Sequence, residues 1–70
     1  MISPEQRSRL ALLYDQFHAA LDPFNPLVRQ AEADFYELLR TLHSSHAADI
    51  PYDEFRRYAV YQCKLYLRKN

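Results

Sequence analysis

His43-x-x-His46-x-x-Asp49 is the grouping in this 70-residue chain with the most obvious chemistry. Two imidazoles and a carboxylate form a ligand set suited to zinc or a non-haem iron. The steps of three and three run through a predicted helix end, where the backbone could bend to converge them. Helical metal sites often use steps of four, no fourth protein ligand is apparent, and histidines favour helix C-termini because the dipole there welcomes positive charge. The structural role is therefore the expected one, and no metal or other cofactor is assigned. A calcium loop starting at His43 would put Glu54 at its twelfth position. The third, fifth and sixth positions would be Ser45, Ala47 and Ala48, so oxygen ligands and the turn glycine are missing.

Catalysis has little to work with. Cys63 has Lys64 beside it in sequence, but consecutive helical residues point about 100° apart and do not face one another. His18 lies at the edge of another helix's apolar face. The expected role of Cys63 is inert packing, and the protein is read as not an enzyme.

Two binding constellations remain, both on the last helix. Arg57, Lys64 and Arg68 share a polar stripe, with Arg56 and Lys69 nearby, as a DNA-contacting helix would require. Asp53 lies on that same stripe, and the connection before the helix, about seven residues, exceeds the three to four of a helix-turn-helix. The second is apolar. Tyr52, Phe55, Tyr58, Ala59, Val60, Cys63, Leu65, Tyr66 and Leu67 cover far more of the circumference than the roughly 100° stripe a small bundle needs. Val60 and Leu67, with Tyr61 just outside this arc, are accordingly candidate partner contacts. Phe24, in a connection, is expected to plug the end of the bundle; its alternative role is an exposed anchor for a partner.

These side chains need elements to hold them. Ser3 and Pro4 open a first helix, with Gln6 at the reciprocal position of a capping box. Leu10, Leu13, Tyr14, Phe17 and Leu21 follow on one face, while Leu12 and Ala19 fall on the far side. Asp22-Pro23-Phe24-Asn25-Pro26 ends this helix, because each proline disfavours α geometry in the residue before it. Asn25 and Pro26 then cap and start the most regular helix, whose stripe is Val28, Ala31, Phe35, Leu38 and Leu42, widened by Leu27 and Leu39. With no glycine in the chain, a left-handed helix stop is costly, so Ala47 and Ala48 could prolong this helix. Pro51 sets the start of the last one. Asp53 and Glu54 open it and Lys64, Arg68 and Lys69 close it, an order that complements the helix dipole.

The expected fold is an all-α, small three-helix bundle in one domain spanning 1–70, with helices near 4–21, 26–45 and 51–68. Its core is Leu10, Leu13, Phe17, Leu21, Val28, Ala31, Phe35, Leu38, Leu42, Phe55, Ala59 and Tyr66.

Composition narrows the function. Hydrophobic residues at 49% argue against disorder, and a formal net charge of zero removes the simplest case for nucleic acid or anionic membrane. The distribution is uneven: residues 47–70 carry five basic and three acidic side chains, for +2, and the rest of the chain is −2. No signal segment or long apolar run is visible, so a cytoplasmic location and no membrane partner are expected. Chains this short commonly need outside stabilisation, and one cysteine, Cys63, allows no internal disulfide. A protein partner or a second copy, as a homodimer, is the favoured source. The expected function is a non-enzymatic protein–protein interaction or self-association domain using the apolar flank of the C-terminal helix, with Val60, Tyr61, Leu67 and Phe24 as contacts. The alternative is a small DNA-binding regulatory protein using Arg57, Lys64 and Arg68.

Overall fold

The structure, a computed structural model, describes residues 2–68. Among them are three helices and no strand: α1 (Pro4–His18), α2 (Pro26–His46) and α3 (Tyr52–Arg68). The architecture is the expected all-α three-helix bundle.

The caps form as their residue types dictate. Ser3 accepts from the Gln6 N–H at 3.2 Å and Asn25 from the Leu27 N–H at 2.9 Å, each with a proline filling the first helical turn. At the other ends, no described residue has a positive φ. Helix α1 instead stops at Ala19 (φ −119°, ψ 23°) and α2 at Ala47 (φ −147°, ψ 33°). The Ala47 N–H donates to the His43 carbonyl, and the Ile50 N–H in turn donates to the Ala47 carbonyl, both at 3.0 Å. A chain without glycine thus closes its turns entirely on the left side of the Ramachandran map.

Helix α1 is the hub. It packs extensively against both α2 and α3, whereas those two meet each other far less. Leu10 and Ala11, adjacent in sequence and about 100° apart on the helix, are both sealed. A helix covered from two sides needs apolar residues over a wide arc, and α1 spreads them accordingly, with Leu10, Ala11, Leu13, Tyr14 and Phe17 in or against the core. The methyl side chain of Ala11 leaves room for a close approach. Phe17 stacks edge-on against Phe35 at 5.3 Å between ring centroids, and Tyr14 lies 5.7 Å from the same ring.

The fully buried set is Leu10, Ala11, Ala31, Phe35, Leu39, Leu42, Ala47, Phe55, Ala59 and Cys63. Several expectations need correction. Helix α1 ends at His18 rather than near residue 21, so Leu21, placed in the core by its spacing from Phe17, stands 102% exposed in the connection. Pro23 disfavours α geometry at Asp22, and the chain leaves the helix earlier still, at Ala19, so no helical turn carries Leu21 inward. On α2 the stripe is rotated toward Leu39, which is sealed, while Leu38 and Val28 are only half-buried. Burial follows the side on which α1 lies, and Leu38 packs against the core from its edge. Leu13, Phe17 and Tyr66 are half-buried members of the same rim.

This distribution orders the costs of truncation. Leu39→Ala should lose about 2–5 kcal/mol of unfolding free energy, as sealed leucines do, and Leu38→Ala clearly less. Urea denaturation of both variants checks it; equal losses, or the reverse order, would contradict the packing described.

Candidate functional site

The histidine cluster resolves into a structural latch. His43 Nε2–H donates to the Ile50 carbonyl at 2.6 Å, tying the end of α2 to the residue before Pro51. Its ring sits edge-on to Tyr52 at 5.4 Å and tilted against Phe55 at 5.5 Å. These contacts bridge α2 and α3, and they commit one imidazole nitrogen to the backbone. His46 and Asp49 are exposed. Among the described residues, no three His, Cys, Asp or Glu side chains gather in a group able to hold a metal ion.

Cys63 faces inward from α3 and is fully buried. Burial raises its thiol from the ordinary 9.0 to about 11, so it is protonated at neutral pH. Burial likewise raises the Tyr14 phenol, with Cys63 and Tyr36 pushing in the same direction. His18 is exposed; its Nδ1–H donates to the Tyr14 carbonyl at 3.0 Å and its ring stacks on Tyr14 at 4.3 Å.

The outer face of α3 is different in character. Arg56, Arg57, Val60, Tyr61 and Lys64 line one shallow groove of about 310 Å³. Lys64 also borders a second, lined by Tyr14, Asp15, His18, Ala19, Leu67 and Arg68, between α3 and the end of α1. The shared lysine joins the two into one strip. Along it Arg57, Val60 with Tyr61, Lys64, and Leu67 with Arg68 alternate cationic and apolar at helical spacing, over about 16 Å at 1.5 Å per residue. Phe55, Ala59 and Cys63 occupy the opposite, buried face. Tyr61 is 59% exposed, and Val60 and Leu67 are half-buried at the strip's margin. The one ion pair among the described residues is Arg56 with Asp53 at 3.9 Å, so Arg57, Lys64 and Arg68 have no carboxylate within bridging distance there.

Of the residues nominated from sequence, Val60, Tyr61 and Leu67 thus fall on one strip together with Arg57, Lys64 and Arg68. The apolar and basic candidates interleave on one surface. Lys69 lies outside the described residues. Phe24 is elsewhere and does not plug the bundle: it is 80% exposed and borders a groove with Pro26, Arg29 and Gln30. Its position is set by the connection itself, where Asp22 Oδ1 accepts from the Phe24 N–H and the Asp22 carbonyl from the Asn25 N–H, both at 3.2 Å. Leu21 and Leu27, near it in sequence, are exposed as well. Sequence reasoning gave Leu21 to the core and preferred the plug for Phe24, with exposure as the alternative; the structure has both exposed, and the Asp-Pro-Phe-Asn-Pro run was the signal for a turn that carries its aromatic residue outward.

Comparison of the chain with protein-family models, with curated proteins and with solved structures gives no match in any of the three. No helix of the described residues is long and apolar enough to cross a membrane.

Two measurements follow from these environments. The unfolded chain releases the Cys63 proton near pH 9, which the folded chain keeps until about pH 11. Stability should therefore fall as pH rises through that window, and the fall should be shallower in Cys63→Ala. Urea midpoints at several pH values test this, and equal slopes in the two proteins would refute it. For the latch, His43→Ala removes a half-buried hydrogen bond and two ring contacts. A loss of about 1–3 kcal/mol is expected by thermal or chemical denaturation; an unchanged midpoint would show that the latch carries no stability.

Proposed function

We propose that this protein is a non-enzymatic interaction domain that binds a protein partner, or a second copy of itself, through the outer strip of α3. The observation that carries this reading is the pairing of exposed Tyr61 and half-buried Val60 in a groove rimmed by Arg56, Arg57 and Lys64. Tyrosine and arginine are enriched at the centres of protein interfaces, where an aromatic ring supplies area and a guanidinium supplies directed hydrogen bonds. The inner face of α3 is already committed to the core, and Val60 rests against that core from its edge, which leaves exposed Tyr61 as the side chain with no packing duty in the bundle. Cys63, the strongest nucleophile type in the chain, is sealed and protonated, which favours a binding role over a catalytic one.

A second reading rests on Arg57, Lys64 and Arg68, all exposed and on one side of one helix. In that reading the strip meets phosphates of a nucleic acid. The half-apolar makeup of the strip is the reason to rank it second.

Replacing Tyr61 with a photo-crosslinking residue in the source cell separates these readings. The interaction reading expects a discrete protein adduct that is absent when the same residue is placed at exposed Ser45 on α2, and that is lost with Val60→Asp. Identical adduct patterns from both positions would contradict it. Fluorescence anisotropy with duplex DNA at about 50 mM salt tests the second reading, which requires steeply salt-dependent binding that Arg57→Glu with Lys64→Glu abolishes.

A further inference from the structure

We infer that the occupant of the α3 strip is an acidic amphipathic helix of about three turns, laid along α3 with its carboxylates at a seven-residue step. This rests on the reading of α3 as a partner surface and specifies the partner's chemistry.

The spacing supplies the register. Arg57 and Lys64 are seven residues apart, with Val60 and Tyr61 between them, and Leu67 with Arg68 continues the pattern. Ridges formed by side chains three and four apart on one helix are complemented by the ridges of another crossing it at a shallow angle. The strip's length of about 16 Å corresponds to three helical turns, a common length for a helix seated in a groove by anchors at i, i+3 or i+4, and i+7. The first groove, about 310 Å³ and open, suits one or two anchor side chains rather than a buried cofactor.

Charge sets the sign. The strip offers Arg56, Arg57, Lys64 and Arg68 against fewer carboxylates: Asp53, already 3.9 Å from Arg56, exposed Glu54 one turn before Arg57, and Asp15 in the second groove. An occupant with apolar side chains over Val60, Tyr61 and Leu67 and carboxylates over Arg57 and Lys64 matches both properties at once. A neutral apolar helix would leave these cations partly desolvated without partners, a cost that favours an acidic one. A second copy is less well matched, because the outer face of α3 meeting itself two-fold would oppose cations to cations.

The test is selection from a displayed library of helical peptides of about 18 residues, or five turns, with surface positions varied among Leu, Phe, Ala, Glu, Gln and Lys. Enriched peptides are then mapped by amide chemical shifts on the labelled protein. The inference expects Glu enriched at a seven-residue step on either side of an apolar anchor. It expects shifts centred on Val60, Tyr61, Lys64 and Leu67, and affinity falling on the order of tenfold with Arg57→Glu plus Lys64→Glu. Both substitutions are on exposed positions, and the unchanged helical spectrum of the variant verifies that it folds. Peptides that map to the strip without an acidic excess would overturn the inference while leaving the partner surface standing. Peptides that map to the groove beside Phe24, or no enriched peptide at all, would overturn both. Shifts of the strip by random-sequence duplex DNA, with none from peptides, would replace the acidic helix with a nucleic acid.

Discussion

The structure depends on α1 being covered from two sides. Helices α2 and α3 scarcely support one another away from the His43 latch, so each must find its apolar cover on the same short helix. Leu10 and Ala11 are both sealed in the core, and Tyr14 and Phe17 extend the contact to Phe35. In a chain this short the apolar area available for burial is small, and placing one helix between two others uses both of its flanks. The sealed thiol of Cys63 belongs to the same economy, since a small polarisable side chain fills space close to Tyr14 at the α1–α3 boundary.

That arrangement has a functional consequence. Because α1 supplies cover to both partners, α3 can bury Phe55, Ala59 and Cys63 on one side, rest Val60 and Leu67 against the core at its margin, and leave Arg57, Tyr61, Lys64 and Arg68 exposed on the other. That outer side and its margin carry the cationic and apolar alternation from Arg57 to Arg68. A bundle in which α3 lay at the centre would have sealed these residues instead. The fold and the candidate surface are therefore two results of one choice of central helix.

Much of this was legible in the sequence. Ser3-Pro4 and Asn25-Pro26 marked two helix starts because capping is local chemistry, decided by a side-chain oxygen and a missing N–H. Phe35, Leu42, Phe55 and Ala59 were placed in the core because a helical period alone assigns a face. The errors came where the answer depends on neighbours. Leu21 continues the period of α1, but period says nothing about where the helix stops. Leu39 outranks Leu38 in burial because of the direction from which α1 approaches, which no single-helix pattern contains. Regularity does not identify the hub either: α2 has the cleanest stripe because it is covered on one side, and α1 is less regular because it is covered on two. Val60, Tyr61, Leu67, Arg57, Lys64 and Arg68 were each visible as candidates, but their merging into one strip needed the groove that the end of α1 forms beside Lys64.

Native-state amide hydrogen exchange measures the central role of α1 most directly, because it ranks segments by the free energy needed to open them. The slowest exchange should fall on the amides of α1 around Leu10 to Tyr14, together with the stretches of α2 and α3 they cover, near Phe35 to Leu42 and Phe55 to Cys63. Exchange in α1 that is faster than in α2 and α3, with those two still protected, would contradict the account, since it would mean that α2 and α3 hold together without the helix between them.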